Sequence, residues 1–241
     1  MDFVVLRGCV CRRDDFWRKT ILTKRPDLLA GERLPRPPLQ KRSMENRVRL
    51  KAAALHLFGE RGYEGTSIGA IAARAKLATG GFYLHYRSKR QLLLVLMDEL
   101  LEGLSRIDLN PASKSDVTET VPQNPRVALR AILARAFSED LAYLGACRAW
   151  QEAVLSDRDL AQQETQIHAW TTARTGKLFE ALQKLPGARR HVEVKGLANT
   201  MDSLFWSLLG RASAISRAQL KSQVDAAAHL IYHAIFADSV G

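Results

Sequence analysis

The sequence predicts an all-α fold, and three observations carry that prediction. From residue 45 onward, apolar residues recur at three- and four-residue spacing. Gly, Pro and Ser-Asp signals interrupt that period where helices would start and stop. No alternating apolar-polar run with hairpin signals accompanies them. The chain has 241 residues, 46% hydrophobic and 25% charged, which is ordinary for a globular protein and long enough for a small domain joined to a larger one. No apolar run reaches the ~18 residues of a membrane helix. The apolar patch near the start follows Asp2 and leads to no small-residue cleavage site, so a cytoplasmic protein is expected and no membrane partner.

In chain order, residues 1–43 read as a basic, disordered extension carrying little core, and RLPRPPLQKR over 33–42 reads as a mobile linker. Met44 stands directly ahead of the first helix and is a candidate for the true start. That helix is expected over 45–60, with Val48, Ala52, Leu55 and Phe58 on one face and Gly62 placed to end it. A second helix follows Thr66, a third covers 79–86, and a fourth runs from Ser88 to about Ile107. The polar stretch 108–124 is a loop. Helices are then expected over 125–144, 146–155, 158–185, 191–210 and 217–237, with breaks at Gly145, Ser156-Asp157 and Pro186-Gly187.

Charge divides the chain. Net charge is +11; residues 1–42 carry 11 Lys and Arg against 5 Asp and Glu, residues 43–92 carry 9 against 3, and residues 93–241 carry 16 against 17. All the excess positive charge lies in the first 92 residues, which suits a polyanion partner through counterion release, or a solubilising basic tail. Cys9, Cys11 and Cys147 form no disulfide framework, Cys9-x-Cys11 lacks the further ligands of a zinc site, and Cys147 reads as a small buried side chain. The six His are dispersed, with no HExxH, phosphate loop or nucleophile elbow. No catalytic residue, metal site or cofactor is therefore assigned, and the chain is not read as an enzyme.

The most informative segment is TSIGAIAARAKLATGGFYLHYRSKRQL over 66–92. Thr66 is a suitable N-cap, Ile68, Ile71, Ala72 and Ala75 make one apolar face, and Leu77 sits between two helices. Gly80 and Gly81 each cost about 1 kcal/mol in a helix relative to Ala. The pair reads as a flexible turn or as a place of close backbone approach, such as to a DNA phosphate or base edge. Phe82 and Tyr86, four apart, can pack inward and leave Tyr83 and His85 pointing elsewhere. Ser88 and Gln91 have capping-box spacing. Lys89 and Arg90 in that first turn oppose the helix dipole by ~0.3–1 kcal/mol each, which a bound phosphate would reverse; a solvated surface pair is the alternative.

The run from Arg49 to Leu92, with LFGERGYEGTS, IGAIAARAKLA and GGFYLHYRSKRQLL, closely resembles the DNA-binding domain of the TetR family over about 45 residues. The resemblance implies a helix-turn-helix over about 67–86 within a DNA-binding domain at 44–92, and a helical ligand-binding and dimerisation domain over 93–241. It implies a homodimer on an inverted-repeat operator in double-stranded DNA, acting as a ligand-relieved repressor. Phosphate contacts are implied for Thr66, Tyr83 and Lys89, with Arg47 as a further candidate, and base-proximal positions for Thr79, Gly80, Gly81 and His85. Ala78 departs from the Ser or Pro usual at the start of the recognition helix, and Gly81 from a common Thr.

Beyond residue 93 the residues must be read alone. Helices 191–210 and 217–237 are apolar on more than one side, which suits a four-helix bundle across a two-fold axis, with Ala227 or Ala228 at the seam. Phe137, Trp150, His168, Trp170 and Trp206 are candidates to line a pocket of ~300 Å³ or more for an apolar or aromatic effector. The alternative is a protein of the same architecture that recruits a protein partner and senses no small molecule.

Overall fold

A computed structural model of the chain describes residues 3–6, 9–12, 24–35, 40–109, 125–211 and 217–236. From Lys41 onward the fold is all-α. Among the described residues the helices are α1 (Lys41–Arg61), α2 (Ile68–Arg74), α3 (Thr79–Tyr83), α4 (Lys89–Ser105), α5 (Pro125–Ala142), α6 (Leu144–Ala153), α7 (Arg158–Leu182), α8 (Val194–Arg211) and α9 (Arg217–Ile235).

Short-range chemistry sets most boundaries. Gly62, at φ 70°, ends α1 and donates its N–H to the Phe58 carbonyl at 3.0 Å. Ser88 Oγ accepts from Gln91 N at 3.0 Å, and Gln91 Oε1 accepts from Arg87 N at 2.9 Å, so the expected box closes one residue earlier than its ideal form. Asp157 caps α7 by accepting from Asp159 N and Leu160 N at 3.0 and 3.1 Å.

Several expectations need correction. α1 begins at Lys41, ahead of Met44. The extension holds a two-stranded antiparallel hairpin, β1 (Phe3–Leu6) with β2 (Cys9–Arg12), in register Phe3 to Arg12. The β-branched Val4, Val5 and Val10 favour strand there. Residues 24–35 pack onto the helices: Leu28 is completely buried. Arg25 pairs with Asp98 at 2.5 Å and Glu102 at 3.0 Å. Glu32 accepts from Arg90 at 2.8 Å and from Gln91 at 3.0 Å, and Gln163 donates to the Leu28 carbonyl at 3.2 Å. Residues 36–39 of the expected linker and 110–124 of the expected loop lie outside the described residues.

Gly145 is not a helix break. It lies in the first turn of α6, where a Cβ would come within 1.8 Å of the Leu55 carbonyl oxygen of α1. Glycine here permits contact between backbones.

Two hydrophobic clusters form the interior. One runs without a break from Leu50 and Phe58 through Ile71, Phe82 and the apolar residues of α4 to Trp150, Leu160 and Trp170. The other joins α5, α7, α8 and α9 through residues such as Leu129, Phe179, Met201, Ala227 and Ile231. Ala227 and Ala228 both face this core, so neither is at an outer seam; Leu230, 63% exposed, occupies the outer side of α9.

Candidate functional site

The α2-turn-α3 unit is held by α1 and α4. Ser67, not Thr66, caps α2, with Oγ accepting from Ala70 N at 3.1 Å. Thr66 is only 1% exposed, and its hydroxyl faces the carbonyls of Gly62 at 2.7 Å and Leu57 at 3.2 Å. Its side chain therefore closes the end of α1 and cannot reach a phosphate. In the turn, Lys76 takes the left-handed conformation, φ 58°, that glycine usually fills.

α3 is one short turn capped by no side chain at Ala78. Phe82 and Tyr86 point inward and Tyr83 outward, 51% exposed with its ring edge-on to Phe82. Thr79 is exposed, and a Cβ on Gly80 would meet nothing within 4 Å, so this backbone is open to a macromolecular surface. Gly81 instead faces the turn, where a Cβ would lie 3.4 Å from Leu77 Cβ. His85 departs from its expected place: it is 6% exposed, and burial, then the nearby Arg47 charge, lowers its pKa from 6.5. Arg47 lies 5.7 Å from the Tyr86 ring centre, and burial pushes the Tyr86 hydroxyl up to about 12.

The first-turn cations of α4 are held internally. Lys89 donates to the Tyr63 carbonyl at 2.6 Å and sits 4.1 Å above the Tyr63 ring. Arg90 binds Glu32 and Asp157, each at 2.8 Å. These partners offset the dipole penalty, so no phosphate is needed to explain either residue. Exposed cations sit instead at Arg49, Arg74, Lys76 and Arg87. Ser67 and Lys76 are the positions that sequence reasoning missed; only the Ser in the Thr-Ser pair and the absence of Gly in the turn hinted at them.

Behind this unit, α6 fastens α1. Arg148 donates to the Gly59 carbonyl at 2.5 Å. Glu152 accepts from the N–H groups of Tyr63 at 2.6 Å and Glu64 at 3.1 Å. α4 continues from Ser88 to a cavity bounded by α4 to α9, with Cys147 the contribution of α6 and a volume of about 130 Å³. That is smaller than the ~300 Å³ expected. Trp170 and Trp206 line it, as expected, whereas Trp150 is sealed in the first cluster with its indole N–H unpartnered. His168 stands outside the lining: its ring packs 5.1 Å from Trp206 and its Nδ1 pairs with Asp202, which does face the cavity. The Phe137 side chain lies outside the described residues. Arg174 is, among the described residues, the one lining residue with a full positive charge.

Known proteins share this arrangement. Residues 50–96, spanning the second half of α1, all of α2 and α3 and the first half of α4, match the family described as bacterial regulatory proteins, tetR family. Over this stretch the chain is similar to the TetR family. The HTH-type transcriptional repressor Rv3405c of Mycobacterium tuberculosis is 34% identical over 103 residues, which is 41% of this chain and 55% of that protein. The chain thus spans about half the length of this curated relative. Among solved structures, the fatty acid degradation regulator FadR from Bacillus halodurans superposes with a TM-score of 0.59 at 14% identity, over 81% of this chain and 96% of that one. SmeT in its triclosan complex gives 0.58 at 20% identity, over 81% and 94%. At such identities these structures establish the fold alone. Among the described residues no helix is long and apolar enough to cross a membrane.

Proposed function

We propose that this chain is a sequence-specific DNA-binding repressor of the TetR family, acting as a cytoplasmic homodimer on an inverted repeat and released by a small apolar or aromatic effector. The observation that carries the DNA reading is α3: Thr79, the open Gly80 and Tyr83 face outward from a unit whose other side is fully packed. Residues 44–92 form the DNA-binding unit, and 93–241 bind the effector and the second subunit. Thr79 and Gly80 approach base edges, with Gly81 shaping the turn behind them. Tyr83, Ser67, Lys76 and Arg47 meet phosphates, joined by whichever N–H groups Lys89 keeps beyond the Tyr63 carbonyl. The exposed Leu230, beside Ala226 on α9, suits a seam made with α8.

The cavity at the far end of α4 supports effector control, because a ligand that favours one placement of α4 shifts the spacing of the two recognition helices. Two proteins of the same fold have been crystallised with small-molecule ligands: SmeT with triclosan and Bacillus subtilis FadR with stearoyl-CoA.

Footprinting across the upstream region of its own gene tests the DNA reading. Protection of an inverted repeat with half-sites in successive major grooves, weakening steeply with salt, is expected. No protected site at moderate salt overturns it. Lys89→Ala is expected to weaken all sequences equally and to lower the salt slope by ~1; an unchanged slope removes Lys89 from the phosphate contacts. Leu230→Glu is expected to give monomers by light scattering, and a full dimer would place the seam elsewhere.

A further inference from the structure

The cavity wall contains one charge that its apolar character does not explain. Arg174, on α7, is 7% exposed and lines the cavity among Leu101, Leu104, Leu178, Phe179 and Trp170. Its guanidinium lies 5.0 Å from the Trp170 ring centre. It donates to three carbonyls at the end of α4: Leu104 and Ile107 at 3.2 Å and Ser105 at 3.4 Å. No carboxylate among the described residues pairs with it. Asp202, the acid that faces the cavity, is taken up by His168 on one oxygen and Thr171 on the other.

A buried guanidinium keeps its proton, so the charge stays and desolvation penalises it. The carboxyl end of α4 supplies roughly half an elementary negative charge, which compensates only in part. Three hydrogen bonds also leave part of the five N–H donors of arginine unspent. A group that brings a whole negative charge and two acceptor oxygens on one plane matches what remains. The volume fixes the rest of the ligand: about 130 Å³ is close to the ~150 Å³ that holds a benzene ring.

We infer that the cavity binds a small carboxylate with an aryl or compact alkyl body, the ring lying against Trp170, Phe179 and Trp206 and the carboxylate on Arg174. This rests on the reading of the cavity as the effector site and names the ligand class for it. The same contact supplies the response. A carboxylate that draws Arg174 to itself takes donors from the Leu104, Ser105 and Ile107 carbonyls and loosens the end of α4, the helix whose first turn abuts the DNA-binding unit.

The test uses the full chain and three probes of equal ring size: benzoate, the neutral benzamide and toluene. Fluorescence of Trp170 and Trp206 and calorimetry report binding. Benzoate is expected to bind about ten-fold or more tightly than benzamide, and Arg174→Met to erase that preference while toluene binding persists. Arg174→Lys, which keeps a charge without the planar fork, is expected to retain part of it. Equal or tighter binding of benzamide or toluene overturns the carboxylate and leaves the effector site standing. Binding of none of the three at about 10 mM by protein that still holds its operator overturns both. If Arg174→Met does not fold, the benzoate-to-benzamide ratio on the unsubstituted chain decides alone.

Discussion

The two hydrophobic clusters are built to different standards. Of the largest fully buried side chains, Trp150, Tyr86, Phe58, Phe82, Leu28, Leu50 and Ile71 all belong to the first cluster, while Phe179 belongs to the second. The first also closes its polar ends: Thr66 on α1, Ser67 on α2, Ser88 on α4 and Glu152 across to Tyr63 and Glu64. Where the second meets the first lies a cavity, walled by Met97, Leu101 and Trp170 of the first and Leu178, Phe179 and Met201 of the second, with a charged residue in its wall and half-buried Phe205 and Trp206 around it. A surface that reads DNA needs fixed geometry, because a recognition helix must present the same atoms to each half-site. A core that answers a ligand needs room for two arrangements, which close packing forbids. The contrast locates rigidity and compliance in one molecule, with α4 and α6 running between them.

The sharpest way to break the contrast is at the contact that joins the regions. Gly145→Val places side-chain atoms where a Cβ alone would be 1.8 Å from the Leu55 carbonyl oxygen. Overpacking of this kind costs about 3 kcal/mol or more, roughly 6–12 °C in Tm for a chain of this length. Gly80→Ala, at an open helical position, is expected to raise Tm by about 2–4 °C, because glycine costs about 1 kcal/mol in a helix, and to change operator affinity. Calorimetry and a binding titration on both variants check the pair, and a stable Gly145→Val would mean that α1 and α6 can slide apart.

Next in size is Leu28. Its side chain is sealed into the first cluster by a segment that contributes no helix to it. Leu28→Ala is expected to destabilise by about 2–3 kcal/mol, and chemical denaturation measures it. A change under about 0.5 kcal/mol would show that residues 24–35 ride on the surface without stabilising the reading unit.

A smaller effect is expected at Glu152. Glu152→Gln keeps one acceptor for the Tyr63 and Glu64 N–H groups but loses the charge, at about 1 kcal/mol. If α6 holds the end of α1 in its DNA-competent place, operator affinity falls by about five-fold as well. A stability loss with unchanged affinity would assign Glu152 to folding alone.

The reading unit was legible in the sequence because its information is contiguous. Turn, caps and apolar face all lie within the run from Arg49 to Leu92, so spacing alone orders them. Inside that run, the misplacements came from contacts distant in sequence or from neighbours of equal chemistry. Thr66 and Ser67 are both good caps, and the end of α1 decides between them by taking the Thr66 hydroxyl. His85 is buried where α1 brings Arg47 over Tyr86 and beside it, which a period over α3 cannot show. The docked segment 24–35 was opaque for the same reason: Leu28-Leu29-Ala30 is a short apolar run among charges until α4 and α7 give Arg25, Glu32 and the Leu28 carbonyl their partners. Around the cavity, aromatic residues alone were poor guides. Trp150 and Trp170 are both buried, but only Trp170 meets the cavity. The sequence shows Arg174 only as one polar residue among several near the aromatics, because its partners are backbone carbonyls about 70 residues away, which carry no sequence signature.

The smallest expected effect sharpens the comparison from the compliant side, at His168. The hydrogen bond to Asp202 raises the His168 pKa above 6.5; burial opposes this, and the charges of Asp202 and Glu164 add to it. A histidine that holds its proton more tightly in the fold contributes stability that is complete below its unfolded value. That contribution is lost as pH rises through the folded value. His168→Gln keeps a polar side chain without the titration, so the gap in Tm between the unsubstituted chain and this variant is expected to be larger at about pH 5.5 than at about pH 8.5. Because the His168 side chain is 37% exposed, solvent screens the pair and the change in the gap is expected to be only about 1–2 °C. The sign is the informative quantity. A gap that stays constant would make the pair a neutral hydrogen bond that only orients Trp206. A gap that widens with pH would mean that the fold holds the His168 ring neutral, with burial outweighing the pull of Asp202.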